Sequence, residues 1–287
     1  MTENPWLERR VIAYAHQGGA REAPSSTLWA ISQAVSLGAP AIELDVHATS
    51  DRQLVVCHDA TLDRTTNGSG EIRHHSLAEL AELDNAYWFV EGEEAVHDRP
   101  AEQYALRGRA PGDRRFGVAS LAEVLEAFPG VVLNLDIKQT APEVEPYEEL
   151  LADLLREHER RDDVIVASFN DAATDAFSAY APEIPTSAGT SATAAFYYAA
   201  RSGEPAPDAA TRHVALQVPA NHGDITVVDE QFVEAAHRAG LAVHVWTIDE
   251  AAEMERLLEL GVDGLITDRP SVLVAMLAAR DEAWQPW

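Results

Sequence analysis

The chain has 287 residues, 46% of them hydrophobic, which is enough for a sizeable core and argues against disorder. Asp and Glu outnumber Lys and Arg 48 to 21, a formal charge of −27. That excludes a nucleic-acid binder, because a phosphate backbone is held by Lys and Arg.

Strand-like runs appear at 11–16, 41–47, 131–138, 164–169, 184–189, 214–218, 242–247 and 264–268. Segments of helical period follow near 26–37, 120–128, 143–160, 171–180, 191–202, 229–239, 249–260 and 270–281. Ser25 or Ser26, Ser120, Asp171, Asp229 and Asp249 stand where N-caps belong, and Gly38, Gly240 and Gly261 where helices close. Eight strands followed by eight helices predict an α/β fold, a (β/α)8 TIM barrel, over a doubly wound open sheet. One further run, LVVCHD at 54–59, follows the second strand too closely for a parallel crossover, so it folds back as a hairpin. A turn around Asp51-Arg52 sets His58 opposite Asp45. The stretch from about 60 to 119 then reads as a small insertion after the second strand, within a single domain spanning 1–287. No run approaches the roughly 18 apolar residues of a membrane span. The start, MTENPWLERRVIAYAH, lacks the apolar stretch of a secretory signal. A single cysteine, Cys57, allows no internal disulfide framework and no Cys-based zinc site. The expectation is a soluble, cytoplasmic protein with no stable membrane insertion.

Alternate residues of a strand share a face. Glu43, Asp45 and His47 fall on one face of AIELDVH, and Asn134, Asp136 and Lys138 on one face of LNLDIK. In a barrel the apolar face packs under the helices and the polar face points inward, toward the end where barrel active sites lie. Lys138 is the only lysine among 21 basic residues, and it sits in this apolar run. His16 ends the first strand and the hairpin brings His58 nearby. Glu43, Asp45 and Asp136 are hard oxygen ligands suited to Mg2+ or Ca2+. A metal with Lys138 would offset phosphoryl charge, and two imidazoles can share proton transfer. That set describes phosphodiester hydrolysis. The same lysine also permits a metal-free Schiff-base aldolase.

The motifs AHQGG at 15–19, IELDVHATSD at 42–51 and VVCHDATLDRTTNGSG at 55–70 resemble the glycerophosphodiester phosphodiesterase family. LNLDIK, ASF at 167–169, VWTID at 245–249 and GLITDRP at 264–270 continue the likeness in order. The resemblance implies a (β/α)8 barrel and a hydrolase of lipid metabolism acting on a small-molecule glycerophosphodiester. It implies His16 and His58 as the acid/base pair and Glu43, Asp45 and Asp136 as ligands of a divalent cation, with Asp136 where the family usually has Glu. It implies Lys138 on the phosphate and Trp246 in the substrate pocket. In such enzymes the neighbouring glycerol hydroxyl attacks phosphorus, and water opens the cyclic phosphate.

Two positions depart from the family pattern. Gln17 replaces the Arg that usually follows the first His, and Arg21 stands nearby as a substitute phosphate cation. Ser25-Ser26 replaces Glu-Asn before the first helix. Other readings are a lysophospholipase D-like hydrolase of lysophospholipids, with DNAYWFV at 84–90 lining a lipid channel, and a non-catalytic phosphate-binding barrel. The oligomeric state is not readable from the sequence.

Overall fold

Apolar runs become strands in the computed structural model, which describes residues 4–8, 11–138 and 147–282. The strands are β1 (Ile12–His16), β2 (Ala41–Ala48), β3 (Leu54–Val56), β4 (Phe89–Val90), β5 (Glu94–Ala95), β6 (Val132–Ile137) and β7 (Val164–Ala167). They continue with β8 (Ser187–Ala188), β9 (Ala215–Pro219), β10 (Asn221–His222), β11 (Ile225–Thr226), β12 (Ala242–Trp246) and β13 (Gly264–Thr267). The main sheet runs β7-β6-β2-β1-β13-β12-β9-β8, with β3 paired to β2. All pairings along that path are parallel, and a single parallel bridge from Val166 to Thr186 joins its two ends. Eight parallel strands thus form a nearly closed barrel with helices between them. β8 is shorter than the run at 184–189 suggests, because Pro185 has no N–H to give to a ladder.

Apolar clusters between strands and helices hold the outside of the barrel, with Leu44, Leu133 and Leu135 on one side and Leu216, Val243 and Leu265 on the other. Inside, Trp6, Ile12, Tyr14, Val132, Ile165 and Ile266 pack together and fill the end where the strands begin. A cavity lies at the opposite end, and of the buried histidines His244 stays with the apolar plug, packed against Trp6 and Tyr14.

The helix ends refine the capping expectations. Ser120 caps Leu121–Ala127 in a full capping box with Glu123, and Asp229 caps Glu230–Arg238. The first barrel helix, Leu28–Leu37, is capped by Thr27 rather than Ser25 or Ser26. Asn170, not Asp171, caps Asp171–Tyr180. Asp249 caps nothing, since Ala251–Glu259 has Glu250 at its N-cap. Residues 143–146, the predicted start of the helix at 143–160, lie outside the described residues, and the described helix is Tyr147–Glu157.

The hairpin forms, one residue out of the expected register. Val46 faces Val56 and Ala48 faces Leu54, so Cys57 rather than His58 comes level with Asp45, and the Cys57 N–H donates to the Asp45 carbonyl. The cause is a three-residue connection, Ser50 to Arg52, with Arg52 left-handed at φ 62°. Beyond it, residues 60–119 contain two short antiparallel strands, β4 and β5, and the helix Leu77–Leu80. The insertion is tied to the loop after β1, where Asn85 Nδ2 donates to the Ser25 carbonyl and the Gly92 N–H to the Arg21 carbonyl.

Candidate active site

Register brings the polar residues together. β2 pairs with β6 so that Asp45 is level with Asp136, and β1 pairs with β2 so that His16 is level with Glu43. His58 arrives from the end of β3, its ring 6.2 Å from that of His16 and nearly perpendicular to it. His16, Glu43, Asp45, His58, Asp136, Lys138 and Trp246 all line one cavity of about 590 Å³ at the C-terminal end of the strands. Its floor is a reciprocal amide pair across the barrel, Asn134 with Gln217, at 3.1 Å in both directions.

Each histidine is anchored through Nδ1. His16 Nδ1 lies 2.6 Å from Asp268 Oδ1, and His58 Nδ1 lies 2.6 Å from Asp59 Oδ1. Arg64 grips Asp59 with two further hydrogen bonds. With Nδ1 engaged in both rings, Nε2 is the nitrogen left to face the cavity, and that of His16 also meets the Gln17 side chain. Burial alone would lower the His16 pKa; the Asp268 hydrogen bond and the charges of Glu43, Asp268 and Asp45 outweigh it and raise the imidazole to about 9. The His58 hydrogen bond holds Asp59 well below the usual carboxylate range.

The three carboxylates are crowded and buried. Burial, then the neighbouring Asp45 charge, pushes Glu43 up. Burial also raises Asp136, to about 6, against the pull of Lys138. Lys138 Nζ stands 2.8 Å from Asp45 Oδ1 and 2.7 Å from Asp136 Oδ2. Burial works against that ammonium, and the two aspartates more than offset it, so its pKa is raised.

Among the described residues, no three acidic, imidazole or thiol groups already stand as a preformed metal cage. The donors nevertheless suit a hard divalent cation. They are all oxygens, and Asp45 Oδ2 and Asp136 Oδ1 are buried with no hydrogen-bond partner. A buried, unsatisfied carboxylate oxygen is costly, and a cation removes that cost.

Other sequence expectations find different places. Arg21 is not brought to the cavity. Its guanidinium pairs with Asp249 and, more loosely, Glu94, because the chain turns it outward toward the insertion. Gln17 is buried at φ 53°, and its Nε2 lies 3.0 Å from His16 Nε2, so it touches the histidine. The segment at 84–90 lines no part of the cavity. Its Tyr87 and Trp88 instead pack with Tyr104 around the Arg107 guanidinium. The two carboxylates hold the Lys138 amine in its charged form, which disfavours the imine chemistry of a Schiff-base lysine.

Sequence reasoning missed Asp268, Asp59 and Phe169. Asp59 was within reach, as the residue after His58. Phe169 meets Trp246 edge to face at 5.4 Å and forms part of the cavity wall.

Residues 16–272 match the Glycerophosphoryl diester phosphodiesterase family. The chain is 30% identical to a glycerophosphodiester phosphodiesterase of Caldanaerobacter subterraneus subsp. tengcongensis, over 93% of this chain and 98% of that protein. It is also 30% identical to one from Bacillus subtilis (strain 168), over 92% of this chain and 85% of the relative. Among solved structures, a glycerophosphodiester phosphodiesterase from Agrobacterium tumefaciens str. C58 superposes with a TM-score of 0.66 at 25% identity, over 93% of this chain and 100% of that one. An Oleispira antarctica phosphodiesterase, solved with its product sn-glycerol-3-phosphate, shares the fold with a TM-score of 0.69 at 23% identity, over 93% of this chain and 97% of that one. A match across nearly the whole barrel, with relatives alike from end to end, means that the chain belongs to the glycerophosphoryl diester phosphodiesterase family and is an enzyme of that kind.

Proposed function

We propose that this enzyme hydrolyses a small glycerophosphodiester to glycerol 3-phosphate and an alcohol, with His16 and His58 moving the protons and Mg2+ or Ca2+ held by Glu43, Asp45 and Asp136. The observation that carries the reading is the meeting of two carboxylate-anchored histidines and three buried carboxylates around one cavity. The product-bound Oleispira relative supports glycerol phosphate as the product class. One imidazole takes the proton of the attacking glycerol hydroxyl and the other gives a proton to the leaving alcohol; with the roles reversed, water then opens the cyclic phosphate to glycerol 3-phosphate. The anchored Nδ1 atoms direct both Nε2 atoms to that exchange. When bound, the cation supplies Lewis-acid stabilisation of phosphoryl charge. The proton-transfer part is worth about 10²–10⁴ in rate. His16→Ala and His58→Ala are therefore each expected to lower kcat on glycerophosphocholine by at least about 10². Excess EDTA is expected to abolish turnover, and Mg2+ or Ca2+ to restore it. Wild-type kcat in either variant, or full activity in EDTA with no bound metal, would refute the assignment.

A second reading, hydrolysis of lysophospholipids, is favoured by one observation. Of the five exposed large hydrophobic residues among those described, Phe169, Tyr198 and Ile225 line this same cavity. Exposed apolar side chains gathered at a polar site suit a substrate that brings its own hydrocarbon. Burying a few methylenes at about 0.8 kcal/mol each is enough for tenfold or more in affinity. Ile225→Asp is expected to lower kcat/KM for lysophosphatidylcholine at least about tenfold and to spare glycerophosphocholine. Equal effects on both substrates would sink this reading.

A further inference from the structure

Lys138 occupies an odd position for a residue whose expected partner is a substrate phosphate. Its ammonium already bridges Asp45 Oδ1 and Asp136 Oδ2. Those are two of the three carboxylates assigned above to the cation. The oxygens facing away from the bridge, Asp45 Oδ2 and Asp136 Oδ1, are buried and unpartnered. Glu43 lies on the same strand face as Asp45, two residues away and also buried. Asp45 and Asp136 thus share one ammonium at close range, while Glu43 lies 3.7 Å from His16 Nε2. Crowded buried carboxylates repel one another unless a cation stands among them.

We propose that Lys138 is a resident counter-cation of the metal-free enzyme, holding Asp45 and Asp136 together until a divalent cation displaces it into the cavity. The inference rests on the metal reading given above. A divalent ion and an ammonium draw on the same two carboxylate groups, and the ion offers twice the charge. The released side chain has room, because Lys138 lines the cavity and its Nζ already lies 5.4 Å from the centre of the Phe169 ring. Its backbone stays fixed, with the Lys138 N–H directed at the Val46 carbonyl, so only the side chain needs to move. Cation binding and presentation of a positive group to the substrate anion become one event.

Two measurements test this without substrate. The first is calorimetric titration of CaCl2 and MgCl2 into the wild type and Lys138→Met at one pH. The variant is expected to bind the cation at least tenfold more tightly, to melt at a lower temperature when metal-free, and to recover on adding Ca2+. The second uses the wild type alone. This chain has one lysine, so ¹⁵N-lysine labelling yields a single side-chain resonance. That resonance is expected to shift, and its N–H exchange with water to accelerate, as Ca2+ saturates the site. A folded Lys138→Met with equal or weaker affinity would overturn the proposal. So would a lysine resonance unmoved at saturation, and that arm decides by itself if the variant does not fold. Absence of cation binding to both proteins would overturn the metal reading and this inference with it. Binding with an unmoved lysine would overturn this inference alone.

Discussion

Asp268 holds His16 from a position 252 residues away in the chain, through a 2.6 Å contact to Nδ1. It is itself held, since its backbone N–H donates to Asp249 Oδ1, which also accepts from Thr267 Oγ1. A buried carboxylate on Nδ1 fixes the tautomer and the ring orientation that aim Nε2 at the reacting atoms. Asp268→Ala is therefore expected to lower kcat by about 10²–10⁴ with KM little changed. Asp268→Asn, which keeps an acceptor oxygen, is expected to recover part of the loss. The far-downfield N–H proton signal of His16 Nδ1 should vanish in both Asp268→Ala and His16→Ala, while that of His58, held by Asp59, stays. A KM effect with unchanged kcat, or survival of the His16 signal in Asp268→Ala, would show that Asp268 does not position His16. The contrast with Glu43, Asp45, Asp136 and Lys138 explains what the sequence disclosed. Those four share strand faces two residues apart, a period visible in the letters IELDV and LDIK. Asp268 follows an apolar strand in GLITD and looks like a loop residue until barrel closure sets β13 beside β1.

At the scale of elements, the turn after β1 decides where His16 points. Gln17, Gly18 and Gly19 all have positive φ, at 53°, 85° and 95°. A Cβ on Gly18 would stand 2.8 Å from the Ala30 Cβ and 3.1 Å from backbone atoms of Ala30 and Ile31, at the first turn of the helix Leu28–Leu37. Gly18→Ala is thus expected to cost about 1–3 kcal/mol of stability and to lower kcat, by displacing the loop next to His16. Gly130→Ala is the control. Its φ is also positive, at 79°, but a Cβ there meets nothing within 4 Å, so about 1 kcal/mol and no activity should be lost. Equal thermal shifts in the two variants, with unchanged kcat, would remove the packing argument. Strands, helix order and the hairpin were legible because hydrophobic period and short connections encode them. The hairpin register was not, because it turns on Arg52 adopting a left-handed conformation at φ 62°, which nothing in its letter signals. The Asp249 role was hidden for a similar reason: a carboxylate before a helix resembles a cap, while here the β13 end captures it.

The whole molecule carries 27 more acidic than basic side chains, 48 against 21. Many arginines are already matched, as in Arg64 with Asp59, Arg114 with Glu123, Arg201 with Asp229 and Arg256 with Glu253. Salt acts on these two populations in opposite senses. It weakens surface pairs worth roughly 0–1 kcal/mol each. It also screens repulsion among the unmatched carboxylates, which acts over the whole particle. A chain of this length has a radius of gyration of about 19 Å. The Debye length is about 30 Å at 0.01 M salt and about 3 Å at 1 M. At low salt every unmatched carboxylate therefore senses the others across the molecule, and at high salt only its neighbours. The long-range term involves more charges than the pairs do, so screening should win. With EDTA present to exclude divalent ions, the thermal midpoint is expected to rise by about 5 °C or more between 10 mM and 1 M NaCl, at roughly 2–4 °C per kcal/mol for a domain of this size class. The increase should be concentrated below about 0.15 M, where the Debye length is still changing on the scale of the particle. A midpoint that falls over that range would mean that the arginine pairs, rather than net repulsion, dominate the surface electrostatics. An increase appearing only toward 1 M would point instead to salting-out of the buried core, whose apolar surface unfolding exposes to the salt solution.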